Sequence, residues 1–191
     1  MATLLPLLAD IRNCTVCRDL PLGPRPVVAL GQRARIMIVG QAPGTKVHES
    51  GVAWDDPSGD HLREWLGVDR ETFYNRQKFA IVPMGFCYPG SRKGGDAPPR
   101  PECAPTWHSQ VRNVLPRLEL TLLCGMYAQR YYLAGERKKT LSATVSHYEE
   151  YLPTFFALPH PSWRSKQWIK KNPWFSAKTL PELRRRVHAL L

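Results

Sequence analysis

Short apolar runs alternate with helical stretches along this chain, and the alternation predicts a layered α/β fold. Four runs, at 35–39, 79–82, 118–125 and 155–158, have the length and apolar content of buried strands. Helices are predicted at 4–13, 59–66, 69–77, 103–115, 126–133 and 179–191. Strands that alternate with helices form parallel sheets covered on both faces. We therefore predict a single α/β domain over residues 1–191, built on a four-stranded parallel sheet.

Two connections stand out between these elements. Residues 45–57 have the composition of an extended surface loop, and Ser58 is a suitable N-cap for the helix that follows it. The segment from Gly90 to Pro101 is rich in Gly, Pro and Arg and predicts a long loop. A loop of that length in a compact domain is either functional or disordered.

Turns that carry polar residues follow two of the strands directly. The turn Gly40-Gln41-Ala42-Pro43-Gly44 ends the first strand, and His160-Pro161-Ser162 follows the fourth. In a parallel sheet both turns lie at the edge where ligands bind, so Gln41 and His160 are predicted to share one pocket. A histidine there can donate a hydrogen bond to charge that develops on a leaving group. The alternative interpretation is that His160 has a structural role and is hydrogen-bonded by neighbouring backbone.

The formal net charge of +11 points to a polyanionic partner, most commonly nucleic acid. Residues 160–191 carry eight Lys or Arg residues and one acidic residue, Glu182. No apolar run approaches the ~20 residues of a membrane helix, and the apolar start lacks the basic region of a signal peptide. We therefore expect a cytoplasmic protein without a membrane partner, associated with the nucleoid if the source is bacterial. We also expect it to act as a monomer.

The segment 163–174 interleaves basic residues with Trp163, Trp168 and Trp174. Lys and Arg suit phosphate contacts, and tryptophans suit stacking on bases or wedging between them. The alternative is a solvated basic helix whose tryptophans pack inward. On the first interpretation, the segment presents DNA to the pocket that His160 lines.

Four of the five cysteines form a candidate metal site. Cys14 and Cys17 are separated by two residues, and Cys87 and Cys103 by fifteen, whereas Cys124 lies in a predicted strand as a small buried residue. Structural zinc sites usually use two tight pairs. Ligands of iron–sulfur clusters can come from widely separated loops, so the spacing favours a 4Fe–4S cluster over zinc.

Together these motifs resemble the uracil-DNA glycosylase superfamily, and within it the iron–sulfur group called family 4. The turn 40–44 resembles that family's Gly-Glu-Ala-Pro-Gly motif with Gln41 at Glu, and 160–162 resembles its His-Pro-Ser/Ala motif. Residues 51–54 with 58–59 resemble its Gly-x-Pro-Phe and Ser/Ala-Gly segment. The four cysteines fall where the family has its cluster ligands. The likeness covers nearly the whole chain.

The resemblance implies a three-layer α/β/α sandwich and a base-excision mechanism. A deaminated base would be flipped from DNA into the pocket, stack on Trp54, and leave when water cleaves its N-glycosidic bond. His160 would donate a hydrogen bond to the departing base, and backbone groups around Gly40, Gln41 and Ala42 would add others. The cluster would be structural.

Residue type and position assign the remaining contacts. We expect Asp55 or Asp56 to position the water, because the 40–44 turn carries no carboxylate. DNA contacts are assigned to Ser58, Ser162, Arg164 and Lys166.

One departure from the family affects base recognition. The family places an asparagine four residues before its third cluster cysteine to read uracil, and here that position is Pro83. The substrate is then uracil read differently, or a bulkier deaminated purine such as hypoxanthine or xanthine. The alternative function is a non-catalytic nucleic-acid-binding protein that keeps the fold and the cluster.

Overall fold

A central sheet of four parallel strands organises the protein, and the computed structural model describes residues 3–191 of it. The strands are β1 (Ile36–Val39), β2 (Phe79–Ile81), β5 (Leu120–Cys124) and β6 (Phe155–Leu158). Their order across the sheet is β2-β1-β5-β6, with Ile36 level with Phe79 on one side and with Leu120 on the other. The predicted α/β fold with a four-stranded parallel sheet is confirmed.

Helices cover both faces of this sheet. In chain order they are α1 (Leu4–Arg12), α2 (Thr45–Ser50), α3 (Pro57–Leu66), α4 (Arg70–Tyr74), α5 (Cys103–Asn113), α6 (Met126–Leu133), α7 (Leu141–Ser146), α8 (Ser165–Lys171) and α9 (Leu180–Ala189). Short 3₁₀ turns at Ala134–Glu136 and Tyr148–Tyr151 and a π turn at Phe175–Thr179 join some of them. Within residues 3–191, no helix is long and apolar enough to cross a membrane.

Two hydrophobic cores lie on opposite faces of the sheet because side chains alternate along a strand. Ile36 and Ile38 point into one core, which includes Leu62 of α3 and Leu183 of α9. The intervening Met37 and Val39 belong to the other, shared with α1, α5 and α6. Since both faces are covered, every position of β1 is apolar and buried.

The segment after β1 differs from the prediction. The expected extended loop at 45–57 contains helix α2, which starts directly after Gly44. Helix α3 begins at Pro57 and not at Gly59, and its N-cap is Asp56, whose carboxylate accepts the Gly59 N–H at 2.8 Å. Proline has the backbone angle of a first helical residue and lacks the N–H that would be left unpaired there, so the helix starts before Ser58.

The predicted long loop at 90–101 contains a small antiparallel hairpin. Its strands are β3 (Ser91–Arg92) and β4 (Gly95–Asp96), and Ser91 pairs with Asp96. The chain then returns to the sheet edge, where the Ala97 N–H donates to the Gly90 carbonyl at 2.8 Å. This hairpin stands at the edge where the turns after β1 and β6 meet.

Candidate functional site

A cavity of about 740 Å³ lies at the carboxyl ends of the parallel strands. Its volume falls within the usual range of small-molecule sites. The turns after β1 and β6, the start of α3 and the β3–β4 hairpin all contribute walls. Of the sequence-predicted residues, those that line it are Gly40, Gln41, Ala42, Trp54, Asp56, Ser58, Pro83, His160, Ser162 and Arg164. The expectation that Gln41 and His160 face one pocket therefore matches the structure.

Trp54 is held in this cavity by two close glycines. A Cβ on Gly40 would stand 2.6 Å from Cζ2 of the Trp54 ring, and a Cβ on Gly59 would stand 1.8 Å from its carbonyl oxygen. Trp54 itself adopts a positive φ of 58°. That conformation is unusual for a bulky residue and persists where the surroundings demand it, often at functional sites. The fold thus fixes one flat, apolar wall of the cavity.

His160 lies beside that wall. Its ring centroid is 5.6 Å from that of Trp54, with the planes inclined by 31°. The following residue is anchored by α3, because Nδ1 of His61 donates to the Pro161 carbonyl at 3.2 Å. Burial lowers the pKa of His160, and the nearby Asp56 carboxylate opposes that shift only in part. The ring is therefore neutral at pH 7 and has one N–H to donate.

The structure separates the two candidate aspartates. Asp56 lines the cavity, and one of its oxygens caps α3. Asp55 is not among the lining residues and forms an ion pair with Arg70 at 2.8 Å. The Arg70 guanidinium holds the pKa of Asp55 below its usual value. Only Asp56 of this pair stands where it can act on a molecule in the cavity.

Two polar groups of the cavity wall are already engaged within the protein. The Gln41 side-chain nitrogen donates to the Ala97 carbonyl at 3.2 Å, which ties the 40–44 turn to the hairpin. Nε2 of His108 on α5 donates to the Pro83 carbonyl at 3.1 Å. Pro83 therefore offers the cavity no polar side chain, and its carbonyl already accepts a hydrogen bond from His108.

Basic and aromatic side chains form the rim of the cavity. Arg92 and Lys93 of the hairpin line it, together with Arg164, which donates to the Gly94 carbonyl. Trp163 is 69% exposed and also lines the rim. Lys166 is exposed on α8 but does not line the cavity.

The three tryptophans of 163–174 divide between the two interpretations made from sequence. Trp168 packs inward, since its indole N–H donates to Ser142 at 2.8 Å and its ring lies 5.3 Å from that of Phe175. Trp174 packs against Trp168 at 5.5 Å. Only Trp163 of the three projects from the surface, so only it is placed to meet a partner.

Sequence reasoning missed several residues of this site. The hairpin brings Arg92, Lys93 and Asp96 to the cavity, and the start of α6 brings Met126 and Tyr127. The signal for the hairpin was present in Lys93-Gly94-Gly95, because consecutive glycines favour tight turns between strands. Nothing local marks Asp96 or Tyr127, whose positions depend on how hairpin and helix dock on the sheet.

The four clustered cysteines line a second, much smaller cavity of about 20 Å³. The Phe86 N–H donates to the Cys103 thiol at 3.3 Å. Burial is the main cause that raises the pKa of Cys87 to about 11 and of Cys103 to about 12, and the charges of the neighbouring thiols add to it. Cys124 is separate from them and lies buried at the floor of the first cavity.

As they stand, the thiols do not form a site for a single metal ion. Across residues 3–191, no group of three or more His, Cys, Asp or Glu side chains is placed to hold a metal ion. The four cysteines nevertheless come from α5, the 14–17 pair and the segment after β2 to line one cavity.

Comparison with known proteins agrees with this architecture. A solution NMR structure from Methanosarcina acetivorans, provisionally named a uracil DNA glycosylase, superposes with a TM-score of 0.50 and 14% sequence identity. The match covers 83% of this chain and 94% of that one, and at this identity it supports the fold alone. A sequence model of the uracil DNA glycosylase superfamily matches residues 28–184, a span that includes the 40–44 turn, Trp54 and His160. This chain belongs to the uracil DNA glycosylase superfamily.

Proposed function

We propose that this protein is a monofunctional DNA glycosylase that removes uracil or another deaminated base from DNA and leaves an abasic site. The observation that carries the proposal is the pairing of Trp54 with His160 in one cavity at the sheet edge, 5.6 Å apart. A flat apolar wall next to a hydrogen-bond donor suits an extruded base that must be held by stacking and activated at one polar edge. The superfamily membership supports the same reaction class.

His160 activates the leaving group in the proposed reaction. As the bond between the base nitrogen and C1′ of the sugar stretches, negative charge develops on the base and positive charge on the sugar. The neutral His160 ring donates its N–H to the base, and N–H groups of the turn Gln41–Ala42 add to that stabilisation. Loss of one preorganised donor of this kind costs about 3–4 kcal/mol, or roughly 10²–10³-fold in rate.

Asp56 is the residue we assign to the water. One of its oxygens caps α3 through Gly59, which fixes the carboxylate while leaving the second oxygen to orient a water molecule. The negative charge also favours the cationic sugar. The water oxygen bonds to C1′, its proton passes to the departing base, and the products are the free base and an abasic site. Asp55, held by Arg70, has no part in this assignment.

DNA would lie across the basic rim of the cavity. Arg92, Lys93 and Arg164 are placed for phosphate contacts, with Lys166 farther out on α8. Ser58 and Ser162 line the cavity mouth and would bind the backbone of the flipped nucleotide. The exposed Trp163 would fill the gap in the base stack.

A structural 4Fe–4S cluster is our proposal for the cysteine cavity. The four residues that would hold it are Cys14, Cys17, Cys87 and Cys103, and an all-sulfur donor set suits a cluster or zinc. In a 4Fe–4S cluster each thiolate binds a different iron, so the ligands surround a larger body than one ion. Cluster ligands can come from widely separated loops, as these four cysteines do, and this favours a cluster over zinc. The cluster would cross-link the connector after α1 to the start of α5.

An excision assay tests the proposed function. Oligonucleotides that carry uracil, hypoxanthine or xanthine are incubated with the protein and then treated with alkali, which cleaves at abasic sites. We expect cleavage of at least one substrate, and we expect His160→Ala to slow it roughly 10²–10³-fold with DNA affinity retained. His147→Ala changes an exposed histidine at the C-cap of α7 and is the matched control.

The same assay tests the alternative function. Binding to all three substrates without excision would overturn the glycosylase proposal and identify a non-catalytic DNA-binding protein. Pro83 motivates that alternative, because its side chain cannot read a base edge by hydrogen bonds.

A further inference from the structure

Asp96 is a carboxylate in the base cavity that no protein group satisfies. It lines the cavity from strand β4 of the hairpin. Within residues 3–191, its carboxylate accepts no hydrogen bond and joins no salt bridge. Other aspartates of this region are engaged: Asp55 by Arg70, Asp56 by Gly59 and Asp69 by Thr72.

The backbone around Asp96 is held on both sides. Ser91 pairs with it across the hairpin, and the Ser91 hydroxyl is hydrogen-bonded to the Tyr88 hydroxyl at 2.7 Å. The next carbonyl, that of Ala97, accepts from Gln41. An oxygen of Asp96 comes 3.2 Å from the point where a Cβ on Gly44 would stand, so the glycine leaves room for it beside the 40–44 turn. The carboxylate is thus positioned against the motif turn.

Asp96 is exposed, so water hydrates its carboxylate in the free protein. The hairpin also carries Arg92 and Lys93 on a rim suited to phosphates, and a carboxylate there repels DNA. Desolvation is the main cause that raises the pKa of Asp96, and the charge of Asp56 adds to it. A base that enters the cavity displaces water from the carboxylate, and a hydrogen bond from the base replaces the one that water supplied.

The cavity wall carries two carboxylates, Asp56 and Asp96, and the proposed reaction assigns Asp56 to the water. The Pro83 side chain cannot hydrogen-bond, and the Gln41 amide nitrogen is committed to Ala97. Deamination of cytosine or adenine changes one ring position in a way that a carboxylate detects, whereas guanine already carries an N–H at that position. Cytosine and adenine carry a bare ring nitrogen where uracil and hypoxanthine carry an N–H. A carboxylate accepts a hydrogen bond from the N–H and repels the lone pair.

We propose that Asp96 is the specificity-determining residue of this site and accepts a hydrogen bond from the ring N–H that deamination creates. The inference rests on the proposed function and adds to it the feature of the base that is read. It separates uracil from cytosine and hypoxanthine from adenine. It does not separate uracil from thymine, since both carry the same N–H.

A cycle of protein and substrate variants tests this contact. Single-turnover excision is measured on oligonucleotides that carry uracil or N3-methyluracil, and hypoxanthine or N1-methylhypoxanthine. For the wild type, we expect methylation of the nitrogen to lower excision about 10- to 100-fold, the usual range for one hydrogen bond to a charged group. Asp96→Ala should lower excision of the unmethylated base by a similar factor and should remove most of the difference between the paired substrates. Asp96→Asn, which keeps one acceptor oxygen, should lose less.

Control variants distinguish a loss of base recognition from a loss of folded structure. Asp10→Ala changes an exposed carboxylate on α1 and should excise every substrate at the wild-type rate. A drop that Asp96→Ala shows equally on methylated and unmethylated substrates would assign Asp96 a structural role and overturn the inference. So would excision by Asp96→Ala at the wild-type rate. Failure of the wild type to excise any base would overturn the glycosylase proposal itself, and the reading role with it.

Discussion

His108 joins the cavity at the sheet edge to the layer of helices behind it, and its replacement by phenylalanine should destabilise the protein in a pH-dependent way. The ring is 1% exposed. Its Nε2 donates to the Pro83 carbonyl at 3.1 Å, and its Nδ1 is hydrogen-bonded to the Tyr132 hydroxyl at 2.8 Å. His108→Phe keeps a flat ring to stack on Phe86 but leaves two buried polar groups without partners.

The magnitude follows from those two groups. Each buried group that loses its partner costs about 1–3 kcal/mol, so we expect His108→Phe to lower the free energy of unfolding at pH 7.5 by about 2–4 kcal/mol. For a chain of this size, that corresponds to a drop in Tm of roughly 5–15 °C. The Pro83 segment should loosen as well, so excision should fall along with stability.

Acidification should reduce the difference in unfolding free energy between the wild type and His108→Phe. Burial lowers the pKa of His108 from 6.5 to about 4, so its contribution to stability is complete above pH 6.5 and is lost as pH falls towards 4. The full loss is about 3 kcal/mol, of which about 2 kcal/mol falls between pH 7.5 and pH 5. The gap between wild type and His108→Phe should therefore narrow by about 2 kcal/mol over that interval.

Urea unfolding at pH 7.5, 6.5, 5.5 and 5.0 measures the gap directly, with the exposed His147→Phe as the control. The control should stay within about 0.5 kcal/mol of the wild type at every pH. A gap for His108→Phe that stays constant from pH 7.5 to pH 5.0 would refute the argument. It would mean that His108 is not a buried, neutral ring that must be charged on acidification.

Three further substitutions test the cavity and its rim. Gly40→Ala should displace the Trp54 ring and lower excision at least 10-fold. Gly135→Ala is the control and should leave excision unchanged, because a Cβ there meets nothing within 4 Å. Equal activities of the two variants would show that the close approach of Gly40 to Trp54 is unimportant. Trp163→Ala should slow base extrusion, measured by 2-aminopurine fluorescence, with Tm unchanged because the ring is 69% exposed; unaltered extrusion kinetics would exclude a wedge. Lys166→Ala should weaken DNA binding and reduce the slope of log K against log salt concentration by about 1, and an unchanged slope would remove it from the interface.

The sheet and its two motif turns could be predicted from the sequence because their signals are local. The strands at 36–39 and 155–158 are short and almost wholly apolar, as strands buried on both faces must be. Parallel strands bring their carboxyl ends to one edge, so Gln41 and His160 line one cavity although β5 lies between their strands. The four cysteines that the spacing grouped do line one cavity, and the cluster they would hold stays a prediction.

The rest of the candidate site depends on contacts between distant segments, which no local pattern encodes. Asp55 and Asp56 are adjacent in sequence, yet Arg70 draws one away and the start of α3 holds the other at the cavity. Trp163 is exposed and Trp168 packed because α8 docks with one side against Phe175. Asp96 reaches the cavity only because the hairpin folds back onto the 40–44 turn through Gln41. The sequence by itself determined the sheet, its motif turns and the residue types they carry, whereas the tertiary packing decided which of several equivalent side chains faces the cavity.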